Sequence, residues 1–103
     1  VLTSGRHDTA MEGLAVLAET VQAADGRIVI MGCGALDATN IAEVLDRTKV
    51  DEVHFASLKD EPSAMRFRNP TIGMGGTDLE REYTNTVTSE EGVRATIAAA
   101  RNR

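Results

Sequence analysis

Aromatic residues are nearly missing from this sequence: there is no tryptophan, one tyrosine and two phenylalanines, 3% of 103 positions. Its core must therefore rest on valine, isoleucine, leucine, methionine and alanine, thin material for an isolated domain of this size. Cysteine occurs once, at Cys33, which excludes an intrachain disulfide and fits a reducing compartment. Basic runs are absent as well. Eleven lysines and arginines against sixteen acidic residues give a net charge of −5. With no arginine-and-aromatic platform, that balance argues against a nucleic-acid surface. No apolar run approaches the ~20 residues of a membrane span. No signal-peptide pattern precedes Val1, so the expected location is cytoplasmic.

What is present is a rhythm. At 42% hydrophobic and 26% charged the chain is globular in character, and it reads strand, helix, strand, helix, strand, helix. Short strands that stop at glycine or small polar residues before each helix predict an α/β fold with parallel strands and helical crossovers. About three βα units fit into the chain, as one domain at most. That is too few to close an eight-stranded (β/α)8 TIM barrel of roughly 250 residues. The expectation is a partial barrel, or an element completed by partner chains.

The first strand is placed at Val1 to Thr3, closed by Ser4-Gly5. Thr9 and Glu12 form a capping box, after which Met11, Leu14, Ala15, Leu17, Ala18 and Val21 recur at helical spacing as a buried stripe. Gly13 costs about 1 kcal/mol against alanine within a helix and is read as tolerated rather than closely packed. Asp25-Gly26 ends that helix. A second strand is expected over Arg27 to Met31, apolar on both faces after Arg27. A short helix capped by Asp37 or Thr39 then buries Ile41, Val44 and Leu45. The third strand, Glu52 to Ala56, puts Val53 and Phe55 on one face and Glu52, His54 and Ala56 on the other. From Ser57 to Thr88 no strong periodicity appears, and a loop of that length predicts a functional segment or an interaction arm. A second capping box, Thr88 with Glu91, opens a last helix that buries Val93 and Ile97. Arg101 and Arg103 complement the negative end of its dipole.

In βα folds ligands bind at the C-terminal ends of the strands. Three segments meet that condition: Thr3 to His7, Gly32 to Asp37 and His54 to Lys59. Gly32-Cys33-Gly34 leads from a strand into a helix, so its amides suit an anion, although a tight turn needing positive φ explains it at least as well. His54, near a strand end, is a candidate general acid or base or a metal ligand, with a satisfied core histidine as the bland alternative. Cys33, at a helix start, is the other candidate ligand. Cys33, Met31, Met65, Met74 and the two histidines include the soft donors Cu(I) prefers, but their spacing assembles no metal motif. Met11 and Met31 read first as core filler. Arg66 and Arg68, alternating with Phe67, suit a carboxylate or phosphate clamp, or equally a surface salt bridge. The candidate anion-binding set is Ser4, Gly5, Gly32, Gly34, Arg66 and Arg68.

Taken in order, Leu2-Thr3-Ser4-Gly5, Glu12-Gly13-Leu14, Ile30-Met31-Gly32-Cys33-Gly34, Glu52-Val53-His54 and Met65-Arg66-Phe67-Arg68-Asn69 form a specific constellation. With Met74-Gly75-Gly76, Glu82-Tyr83 and Val87-Thr88, it resembles the C-terminal part of the CutC copper-homeostasis family over nearly the whole chain. The resemblance implies a TIM barrel of which these are roughly the last three βα units. It also implies a cytoplasmic homo-oligomer that binds or traffics copper ions, with the family's proposed cysteine ligands lying upstream of this segment. Two positions depart from the family pattern. Cys33 stands in the middle of a loop that commonly has three small residues, and Ala56 stands where many relatives carry a serine, with Ser57 one step later. A copper-binding protein is thus the first functional expectation. The alternative is a barrel enzyme or binder acting on a phosphorylated or carboxylated small metabolite, with His54 as acid or base. A third reading is an inactive half-barrel whose open sheet edges drive association.

Overall fold

Three short parallel strands lie side by side in chain order: β1 (Leu2–Thr3), β2 (Met31–Gly32) and β3 (Glu52–Val53). Leu2 stands opposite Met31 and Met31 opposite Glu52; in the next row Thr3, Gly32 and Val53 align. Helices α1 (Leu14–Ala24) and α2 (Ile41–Thr48) supply the crossovers, as the strand–helix alternation predicts. This computed structural model describes residues 1–76 and 78–103. They fall into two units, Val1–Ser57 with Glu90–Arg103, and Leu58–Ser89.

In the first unit the core lies between the helices and one face of the sheet. Ala10, Leu14, Leu17, Ile30, Leu36, Val44 and Val50 are buried together, and Val53 and Phe55 pack against them. Among the described residues of this unit no helix packs on the opposite face, where Leu2 and Val29 are exposed. Ladder bonds extend the pairing beyond the two-residue strands: Met31 N donates to Val1 O, Cys33 N to Thr3 O and His54 N to Gly32 O. The second strand is nonetheless shorter than Arg27 to Met31. It is Met31–Gly32, and Ile28 and Val29 ahead of it are exposed. The Ile30 amide is held by the Asp51 carboxylate at 2.8 Å, a contact that no periodicity signals.

Thr9 and Glu12 do bond to each other, but in the turn ahead of α1, whose N-cap is Gly13 without a side-chain cap. The Glu12 amide donates to Thr9 Oγ1, and that hydroxyl donates to the Glu12 carboxylate. Regular helix begins at Leu14, and Ala15 turns to solvent because the buried stripe runs through Leu14, Leu17 and Ala24. Gly13 is closely packed rather than merely tolerated. A Cβ there would sit 2.0 Å from Ser4 O, and one on Gly5 would sit 2.3 Å from Gly13 O. The loop after β1 thus presses its backbone onto the start of α1, which a side chain at either glycine would prevent. At the other end the chain turns left-handed at Asp25 as well as at Gly26. Ahead of α2, the Asp37 carboxylate accepts from the Thr39 amide and hydroxyl, so it closes the preceding turn and Asn40 occupies the N-cap position.

Helix α3 (Glu90–Arg101) packs on α2, and Arg103 binds Asp46 at 2.8 Å. It starts one residue later than a Thr88 N-cap requires. Thr88 is the last residue of a strand, paired with Leu58. Its buried residue is Thr96, whose hydroxyl donates to Gly92 O, while Ile97 is 39% exposed.

The second unit corrects the expectation of a long loop over Ser57 to Thr88. β4 (Leu58–Pro62) and β5 (Thr84–Thr88) pair antiparallel, from Leu58 opposite Thr88 to Pro62 opposite Thr84. Every β4 residue is exposed, so no alternation of apolar and polar residues marks it. Arg81 grips the Asp60 carboxylate through both terminal nitrogens at 3.1 and 3.2 Å, and Thr86 donates to the same group. These donors hold the Asp60 carboxyl below the usual carboxylate range, Arg81 being the larger influence. Between the strands lie two short 3-10 turns, Met74–Gly76 and Leu79–Arg81.

Candidate functional site

Side chains alternate between sheet faces along a strand. The row Thr3, Gly32, Val53 looks toward the helices, since Val53 packs on the core and a Cβ on Gly32 would meet Val50. The next residues along each strand are Ser4, Cys33 and His54. The ladder bonds Cys33 N to Thr3 O, 3.0 Å, and His54 N to Gly32 O, 2.9 Å, carry the register that far. This second row therefore belongs to the helix-free face, at the C-terminal ends of the strands. Neighbouring strands lie about 4.8 Å apart, so one small ion or one polar substrate group spans two of its members. His54 is exposed, and Cys33 and Ser4 are half-buried.

The loops that bring the row together are packed on each other. Gly34 turns at φ 105° and Ala35 at φ 52°. A Cβ on Gly34 would stand 3.0 Å from Ala10 N and 3.2 Å from Ser4 Cβ, and Gly34 O accepts from Ala10 N at 2.9 Å. The tight-turn explanation of Gly32-Cys33-Gly34 thus accounts for Gly34. In the first loop Ser4 Oγ donates to His7 O at 2.6 Å, and the His7 ring contacts Gly5 O through Nδ1 at 2.9 Å. Gly5 is buried under α1's first turn. The Ser4 proton is therefore committed to backbone, leaving its oxygen lone pairs.

As a metal centre the row offers a thiol and an imidazole, both suited to Cu(I). Among the described residues no group of three or more His, Cys, Asp or Glu is placed to hold a metal ion. The donor set in this segment fits a soft ion of low coordination number and does not fit a cation that needs a closed shell of four or more ligands.

Arg66 and Arg68 lie in the second unit. The Arg68 guanidinium stacks over the Tyr83 ring at 4.2 Å and donates to the Met65, Phe67 and Ser63 carbonyls. Through these bonds the Arg68 side chain braces its own segment. Among the described residues no helix is long and apolar enough to cross a membrane.

Comparison with known proteins adds to this geometry. The sequence model of the CutC family matches residues 1–59. A CutC family protein of Mesorhizobium japonicum is 60% identical over 101 residues, covering 98% of this chain and 39% of the relative. The human copper homeostasis protein cutC homolog is 35% identical over 102 residues, 99% of this chain and 37% of its own length. A CutC family protein of Bacteroides thetaiotaomicron is 36% identical over 103 residues, 41% of its length. The chain thus spans about two fifths of the curated relatives it matches.

Proposed function

Because this chain belongs to the CutC family, which matches it over residues 1–59, we propose that it contributes three βα units to a TIM barrel that handles Cu(I) in cytoplasmic copper homeostasis. The observation that carries this reading is the pair of ladder bonds, Cys33 N to Thr3 O and His54 N to Gly32 O, which extends the strand register toward Ser4, Cys33 and His54; in a closed barrel their face would turn inward. Copper is cargo here rather than a resident cofactor. Cys33 and His54 are the residues of this segment that would bind it, the thiol as thiolate and the imidazole neutral. The backbone packing of Gly5 on Gly13 and of Gly34 on Ala10 fixes the two loops that present them. Relatives named for copper homeostasis, in mouse and human, support the metal. Assembly of the complete barrel into homo-oligomers is part of the same proposal.

Anaerobic titration of Cu(I) into the full-length protein tests it. Cys33→Ala and His54→Ala are each expected to weaken binding and to change the stoichiometry. Unchanged affinity and stoichiometry in both variants would remove these residues as copper ligands. What favours copper over the metabolite alternative is that Arg68 already engages Tyr83 and carbonyls of its own segment.

A further inference from the structure

Of the four methionines, two behave as core residues do: Met11 packs against the buried cluster and Met31 is half-buried in β2. The other two do not. Met65 is 58% and Met74 79% exposed, so gap-filling, the ordinary reason for a methionine, explains neither. Both line one pocket of the second unit, about 360 Å³ in volume, together with Phe67, Ile72, Glu82 and Tyr83.

The backbone at both methionines is fixed. Met65 N donates to Ser63 Oγ at 3.1 Å, and its carbonyl accepts from the Arg68 guanidinium. Met74 N donates to the Glu82 carboxylate, and the chain then turns sharply through left-handed Gly75 and Gly76. Tyr83 ties the intervening segment down, its hydroxyl accepting from Asn69 N at 2.6 Å. Two methionines, nine residues apart in sequence, thus line one concave surface on anchored backbone. The rest of its lining is aromatic, aliphatic and glycine, and its one charged member is the Glu82 carboxylate. A hard divalent ion finds too few oxygen donors in such a lining, whereas thioether sulfur selects Cu(I).

We infer that Met65 and Met74 form a thioether site for Cu(I) on the 58–89 arm, made without Cys33 or His54. This rests on the copper-handling reading above and adds to it a second, weaker binding position of a kind that releases metal readily, since neutral thioethers contribute no charge to the bond.

The test is anaerobic addition of Cu(I) to protein carrying 13C-labelled methionine methyl groups, in the wild type, in the volume-conserving double variant Met65→Leu/Met74→Leu, and in Cys33→Ala/His54→Ala. The site predicts shifts of the Met65 and Met74 methyl signals, with those of Met11 and Met31 unmoved. It also predicts loss of a Cu(I) equivalent in the leucine variant and its retention in the alanine variant. Uptake of Cu(I) without movement of the Met65 and Met74 signals overturns the thioether site and leaves the Cys33 and His54 proposal standing. No uptake by any of the three proteins overturns both. The labelled wild type reports on the site directly, so the outcome does not depend on how well a variant folds.

Discussion

Gly13 is the residue where packing overrides propensity. Helix propensity alone predicts that alanine there stabilises by about 1 kcal/mol. The Ser4 carbonyl, 2.0 Å from where the new Cβ would sit, reverses the sign. Gly13→Ala is expected to destabilise by about 1–3 kcal/mol, the usual cost of overpacking, and to disturb the Ser4–His7 loop. Urea denaturation with amide shifts of Ser4 to His7 checks it; a gain in stability would show that the loop yields without cost. From the sequence Gly13 and Gly5 were only two small residues eight apart, because backbone-to-backbone contact leaves no apolar pattern. Asp51 was illegible for the same kind of reason: an exposed carboxylate bonded to a buried amide one strand away looks like any surface acid. His54, by contrast, could be placed, since Val53 and Phe55 on the core side force it to the other face.

Among the elements, those that bury a face were legible and those that do not were missed. The crossover helices announced themselves through their leucines and valines, and the parallel order β1-β2-β3 followed from the crossovers. β4 and β5 did not, because their strand pairing is held by backbone and by charge, with Asp60, Arg81 and Thr86 interlocked on the surface. That interlock has a pH signature. The folded Asp60 carboxyl lies below its ordinary value, so the unfolded chain binds the proton more readily. The contribution to stability is complete above about pH 4, the unfolded value, and disappears as the pH falls through the lower folded value. Hydrogen exchange, corrected for intrinsic rates, is expected to show β4 and β5 amides losing protection on acidification from about pH 6 to about pH 2.5. In Asp60→Asn the step at this site should be absent. Protection unchanged in the wild type across that range would show that the ion pair does not hold the arm together.

For the molecule as a whole, among the described residues the three strands have helices on one sheet face and no strand paired at the outer edge of β1 or β3, in a segment that spans about two fifths of its relatives. Parallel strands are normally covered on both faces. In the proposed barrel the remaining strands close those edges, and the inward face becomes the interior beneath the rim where Ser4, Cys33 and His54 stand. The thioether pocket of the arm adds a second soft site to the same polypeptide. The row itself was not readable from spacing, because a row formed across strands brings together residues 21 and 29 positions apart, separations that no local motif encodes.

The most direct test of the rim is diffraction at the copper absorption edge from crystals of the full-length protein loaded anaerobically with Cu(I), in the Met65→Leu/Met74→Leu background. An anomalous peak within bonding distance of both Cys33 Sγ and the His54 ring is the predicted result. A peak bonded to neither residue, or no peak at all in fully loaded crystals, would contradict it.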